Sequence, residues 1–331
     1  IKIGEFDIKK EKYSLASLLQ YLKTTFTSLK AVKPLRRLDI EIHPELDTLG
    51  VRTATLETLK TVIPELQNLS VFRLSQSPSH LSEKDTTTNE NEISEILSKL
   101  KGLSQLEMQI EPITCNEKLF ACCGANPNLT KLSLQLSVPE GSIQGFNECL
   151  INLKSLNSLE LVFASAKQWL EVGSLTDAFN SMSQLKQLVI ILPFESSAFP
   201  LMKLLVGIEK LRQLTHLKFH SYLTNYDCPG LESFSQSVAT LKHLTHLDVD
   251  FSFYLDYCKS PNKELANFYE RITCLDKLKY LKVICRSNDM IVDSAFFSIK
   301  NALQNFKQLE HFDLYLKSEK ITDKGILTLL E

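Results

Sequence analysis

The sequence lacks the marks of several protein classes. Its 331 residues carry 37 Lys and Arg against 39 Asp and Glu, a formal net charge of -2. Without a basic excess there is no electrostatic reason to expect binding to nucleic acid. No apolar run approaches the length needed to cross a bilayer. The eight cysteines, Cys115, Cys122, Cys123, Cys149, Cys228, Cys258, Cys274 and Cys285, include no C-x-x-C pair, so the usual zinc and redox spacings are missing. Their irregular placement favours reduced thiols and a cytoplasmic protein over a disulfide framework. G-x-S-x-G, the P-loop and H-E-x-x-H are all absent. Neither an enzymatic activity nor a cofactor is therefore expected. No signal peptide is visible, and the chain begins at Ile1 rather than Met.

What is present is core-forming material in a strict order. The chain is 44% hydrophobic and 23% charged, a globular composition. One frame, L-x-x-L-x-L-x-apolar, recurs through it. Its anchor leucines are Leu35, Leu69, Leu103, Leu129, Leu156, Leu185, Leu214, Leu244, Leu278 and Leu309, spaced 26 to 34 residues apart. Within a rung the apolar residues alternate, as in Leu244, Leu247, Val249 and Phe251. That period of two predicts a strand. Ahead of each anchor the period changes. Ile93, Ile96, Leu97 and Leu100 precede Leu103 at spacings of three and four, as Phe146, Cys149, Leu150 and Leu153 precede Leu156. Those spacings place them on one helical face. Each unit is thus one helix and one short strand.

Two periodicities in fixed phase over about ten units resemble the leucine-rich repeat proteins, most closely the long-repeat, ribonuclease-inhibitor-like class. The C-terminal ITDKGILTLLE resembles that class's helix entry. The resemblance implies an α/β solenoid, a horseshoe with a concave parallel β-sheet and convex helices. It also implies protein–protein recognition. One departure is clear: the family's Asn or Cys eight residues past the anchor is replaced by residues such as Ser137, Ser252 and Lys317. The asparagine ladder is missing, and the strand is expected to extend one apolar position further.

The chain is read as a single domain over residues 1–331. Residues 1–12 are expected to form an N-terminal strand or cap, and 77–92 a mobile loop insertion. The chain ends as a new helix begins, so further chain is expected on at least one side. Cys122, Cys123, Cys149 and Cys285 fall at or near core positions of the frame and read as small hydrophobes. Trp169, the one tryptophan, reads as packing over a loop.

The surface candidates come from the positions that alternate with the core. Two, four and six residues past the anchor, the last four repeats place His216, Lys218 and His220; His246, Asp248 and Asp250; Tyr280 and Lys282; and His311, Asp313 and Tyr315. All are expected to face outward on the concave sheet, with Lys218, Asp248, Lys282 and Asp313 as a row of alternating charge. The adjoining loops add Tyr222 and Tyr254 as an aromatic rim, and Val162, Val189 and Ile191 form an apolar patch mid-array. His216, His246, His220 and Asp250 are close enough in register to raise the question of a metal. An open sheet surface without supporting partners argues against one. The expectation is a protein-binding face with an unknown protein partner. The alternatives are the recognition arm of a larger enzyme, such as a kinase or ubiquitin-ligase receptor, and a structural subunit of a large assembly.

Overall fold

The computed structural model describes residues 20, 24, 25, 27, 28, 35–42, 51–76, 83–109, 117–136, 144–163, 175–192, 201–221, 230–252, 260–286 and 291–330. The expected cap at residues 1–12 and Trp169 lie outside them. The chain divides into two compact units, Ile1–Leu156 and Asn157–Glu331.

In the first unit strands and helices alternate: β1 Arg37–Ile42, α1 Val51–Val62, β2 Val71–Gln76, α2 Glu83–Lys99, β3 Gln105–Gln109, α3 Glu117–Gly124, β4 Lys131–Leu136 and α4 Gln144–Asn152. β1, β2, β3 and β4 pair in sequence order, all parallel, and equivalent repeat positions lie opposite each other, as in Leu38↔Phe72 and Phe72↔Leu106. The second unit continues with β5 Ser158–Phe163, α5 Leu175–Ser181, β6 Gln187–Leu192, α6 Leu201–Ile208, β7 His216–Ser221 and α7 Gly230–Ala239. Then come β8 His246–Asp250, α8 Pro261–Ile272, β9 Tyr280–Arg286, α9 Ser294–Leu303, β10 His311–Lys317 and α10 Asp323–Leu330. Its strands also pair in parallel and in order, with Leu188↔Leu217, Leu217↔Leu247 and Leu247↔Leu281 in register. Parallel neighbours in sequence order put each unit's crossovers on one side of its sheet.

The core is the frame read from the sequence. Leu244, Leu247 and Val249 are fully buried and Phe251 nearly so, as are the helical Ile93, Ile96 and Leu97. Each buried aliphatic side chain contributes about 1.5–3 kcal/mol. The cysteine reading holds for Cys123, Cys149 and Cys285, which are buried, but not for Cys122, which is only half-buried; desolvation pushes the Cys285 thiol well above its usual range. Helix passes to strand through a recurring tight turn. The anchor's backbone N–H donates to the carbonyl three residues earlier, at 2.9 Å for Leu244 to Leu241 and 3.0 Å for Leu214 to Leu211.

One expectation needs correcting. Residues 83–92, read as part of a loop, form the first turns of α2. These turns have no apolar stripe to announce them, and the Glu and Lys among them are good helix formers. Residues 77–82 lie outside the described residues.

A second set of bonds lies at the other end of the rung from the missing asparagines. Within each unit, the residue after an anchor offers its carbonyl to the next repeat. The Thr215 carbonyl accepts the N–H of Thr245 at 2.9 Å and of His246 at 3.0 Å. It also accepts the Thr245 hydroxyl, at 3.0 Å. The same triple arrangement joins Thr215 to Lys186, Ser70 to Arg36, Ser104 to Ser70 and Thr130 to Ser104. The hydroxyls satisfy themselves on backbone that would otherwise carry fewer donors.

Candidate functional site: the open face of strands β7 to β10

Side chains two residues past each anchor stand on the sheet face away from the buried core, one per strand. In β7 to β10 these are His216, His246, Tyr280 and His311, opposed in register. Their rings stack into one row. The centroid of His216 lies 4.1 Å from that of His246, with 12° between the planes. His246 and Tyr280 follow at 5.8 Å and 21°, and Tyr280 and His311 at 4.9 Å and 4°. Parallel strands about 4.8 Å apart bring identical positions to stacking distance without further help.

The first two rings are fixed from behind. Thr215 Oγ1 lies 2.9 Å from His216 Nδ1, and Thr245 Oγ1 lies 2.8 Å from His246 Nδ1. Each hydroxyl has one proton and already donates it to a backbone carbonyl. Both contacts are satisfied together when the imidazole Nδ1 is the donor. In that tautomer the neutral ring carries its proton on Nδ1 and presents Nε2 as an acceptor. Burial, followed by the neighbouring His246, holds the pKa of His216 below the usual histidine range.

The charged row is in the expected register, Lys218↔Asp248↔Lys282↔Asp313, but its pairing differs. Asp248 accepts from His220 Nε2 at 3.0 Å. Burial works against its ionisation, but the His220 hydrogen bond and the charges of His220, Lys282 and Lys218 outweigh it, so its pKa falls below the usual carboxylate range. Asp313 takes Tyr280 Oη at 3.2 Å and His311 Nε2 at 3.2 Å. Among the described residues, neither lysine closes an ion pair: Lys282 Nζ sits 5.7 Å over the Tyr315 ring, and Lys218 contacts no carboxylate. In the first unit the equivalent row does pair directly, through Arg73 and Glu107.

The outward reading fails in the third row. His220 and Asp250 are buried, 8% and 3% exposed, as is Ile284 of β9. The two polar side chains tolerate burial because each finds a partner: His220 bonds Asp248, and Asp250 Oδ1 accepts from both the backbone N–H and the hydroxyl of Ser252. Ser252 Oγ in turn accepts the Arg286 N–H at 3.1 Å. Ser252 stands at the family's asparagine position and does a related task with one hydroxyl and a borrowed carboxylate. Tyr315 remains 56% exposed. Val162, Val189 and Ile191 are half-exposed, with Val162 opposite Ile191 on β5 and β6. Tyr222 and Tyr254 lie outside the described residues. No group of three or more His, Cys, Asp or Glu side chains suited to a metal occurs among the described residues. No helix among them is long and apolar enough to cross a membrane.

No family model matches the sequence, and no curated protein does so at a significant level. Solved structures do. The chain is similar to the leucine-rich repeat-containing protein LegL7 from Legionella pneumophila, with 11% identity and a TM-score of 0.50, covering 93% of this chain and 92% of that one. It is also similar to TLR13 in the TLR13–ssRNA13 complex, with 14% identity and a TM-score of 0.44, covering 92% of this chain but 39% of that one. The chain thus spans well under half of the TLR13 chain's length. Together with parallel strands in sequence order and a helix between successive strands, the likeness to LegL7 establishes that this chain has the α/β leucine-rich repeat solenoid fold, of the long-repeat kind.

Proposed function

We propose that this chain is a non-enzymatic recognition module that binds a protein partner through the open sheet face and its adjoining loops, chiefly along β7 to β10. The observation that carries this reading is the row of four stacked rings, His216, His246, Tyr280 and His311. Stacking and the threonine bonds remove most of their freedom before any partner arrives, so association costs little ordering entropy. Aromatic side chains on a preformed surface are the usual centre of a binding patch. The half-exposed Val162 and Ile191 extend that surface with apolar area.

The test replaces His216, His246, Tyr280 and His311 together by Ala and compares the proteins captured from the source-cell lysate by wild type and variant, using quantitative mass spectrometry. Circular dichroism checks that the variant is folded. Loss of specific partners in a folded variant supports the reading, and unchanged recovery overturns it.

A further inference from the structure

The second-row carboxylates of β8 and β10 are committed within the chain, whereas Lys282 of β9 meets only the Tyr315 ring and Lys218 of β7 no carboxylate among the described residues. Asp248 is held by His220 and Asp313 by Tyr280 and His311. Lys218 and Lys282 flank Asp248 one strand to either side, without an ion pair among the described residues. Beside them stand two imidazoles 4.1 Å apart and nearly parallel. Both have Nδ1 turned to a threonine, so both have Nε2 as the remaining polar edge.

We infer that His216 and His246 form a clamp for a side-chain carboxylate of an acidic segment in the partner, with Lys218 and Lys282 supplying the surrounding positive field. The inference rests on the proposed use of this face for binding. Protonation at Nε2 turns each ring from an acceptor into a donor while its Nδ1 bond to threonine stays in place. Two such cations this close repel each other and oppose double protonation. A carboxylate bridging their two Nε2 edges offsets that repulsion, each oxygen taking one N–H in the bidentate manner of charge-assisted pairs. The other groups facing the pair do not compete for it. Gln187 lies opposite His216 on β6. Tyr280, opposite His246, gives its hydroxyl to Asp313. Asp248, two residues along β8, is held by His220. His311 and Asp313 pair with each other on β10.

Binding of the carboxylate takes up protons, so affinity rises as pH falls through the histidine range while glutamate stays ionised. The probe is an acetylated, amidated ten-residue peptide of alternating Glu and Ala, titrated calorimetrically into the full chain at pH 6 and pH 8. A Lys/Ala peptide and inorganic phosphate serve as comparisons. The glutamate peptide is expected to bind about tenfold or more tightly at pH 6 than at pH 8. The lysine peptide is expected not to bind. His216→Asn with His246→Asn should abolish the pH dependence, and Lys218→Ala with Lys282→Ala should weaken binding and its salt dependence. Equal affinity at the two pH values, an unaffected double-histidine variant, or preference for the lysine peptide each overturns the clamp. Binding of phosphate alone overturns the acidic-segment assignment. If the ring-row variant of the capture experiment loses its partners but the glutamate peptide fails to bind, the clamp fails and the binding face stands. If partner recovery is unchanged, the binding face itself fails.

Discussion

Glu92 on α2 is 9% exposed, and its Oε2 has no hydrogen-bond partner. Burial, then a hydrogen bond and charge from Glu57 on α1, push its carboxyl from 4.5 up to about 7, with Lys60 opposing them. The folded chain therefore holds a proton that the unfolded chain releases. For a carboxyl whose folded pKa is raised, stability falls as pH climbs from the unfolded value to the folded one, and the penalty is complete above it. The difference corresponds to at most about 3 kcal/mol. Solvent screening at the helix surface reduces this to about 1–2 kcal/mol. Glu92→Gln keeps a donor toward Glu57 and cannot ionise. It should leave stability at pH 4 nearly unchanged and raise it by about 1–2 kcal/mol at pH 8. Urea denaturation of wild type and variant at both pH values, followed by circular dichroism, measures the difference. An equal effect at pH 4 and pH 8 refutes the reasoning, because a simple packing change carries no pH dependence.

Three further outcomes concern polar side chains and their hydrogen bonds. Tyr269 is fully buried and its hydroxyl lacks a partner, so Tyr269→Phe should be neutral or stabilise the fold by up to about 1 kcal/mol; a loss above that in urea denaturation counts against the assignment. Ser252→Ala removes the acceptor of the Arg286 N–H and a donor to Asp250. It should cost about 1–3 kcal/mol and speed hydrogen exchange at the Arg286 amide, whereas unchanged exchange would show the bond is not formed in solution. Nitrogen NMR of the neutral side chains should find the Nδ1–H form at His216 and His246. Thr245→Val should release that preference at His246 alone, and an Nε2–H majority in wild type would contradict the threonine bonds.

The fold was legible because its signal is redundant. Ten anchors and two alternating periods agree, so that no single substitution, such as Cys149 for an aliphatic residue, obscures the frame. The register of Lys218, Asp248, Lys282 and Asp313 followed directly from it. Their actual partners did not, because His220 reaches Asp248 through side-chain rotamers that a pattern of positions does not encode. The ring stack was half legible: position placed the four side chains together, while their parallel planes depend on what fixes each ring. The hydroxyls that fix two of the rings are in plain sight: Thr215 and Thr245 share with Ser70, Ser104 and Thr130 one place in the frame, seven residues short of the family's asparagine position. The start of α2 was missed because a polar helix has no period to read.

The carbonyl that follows each anchor has a direction. Where it is clamped, all three donors come from the later repeat: two N–H groups and a hydroxyl in the case of Thr215. Detaching the later repeat leaves a bare carbonyl, which water solvates readily. Detaching the earlier one strands two N–H groups and a hydroxyl at the new boundary, and orphaned N–H groups are the harder ones to satisfy. Within each unit, fraying is therefore polar. Repeats should peel more easily from the later side than from the earlier, and pulling the two ends of the chain apart should meet different resistance at each.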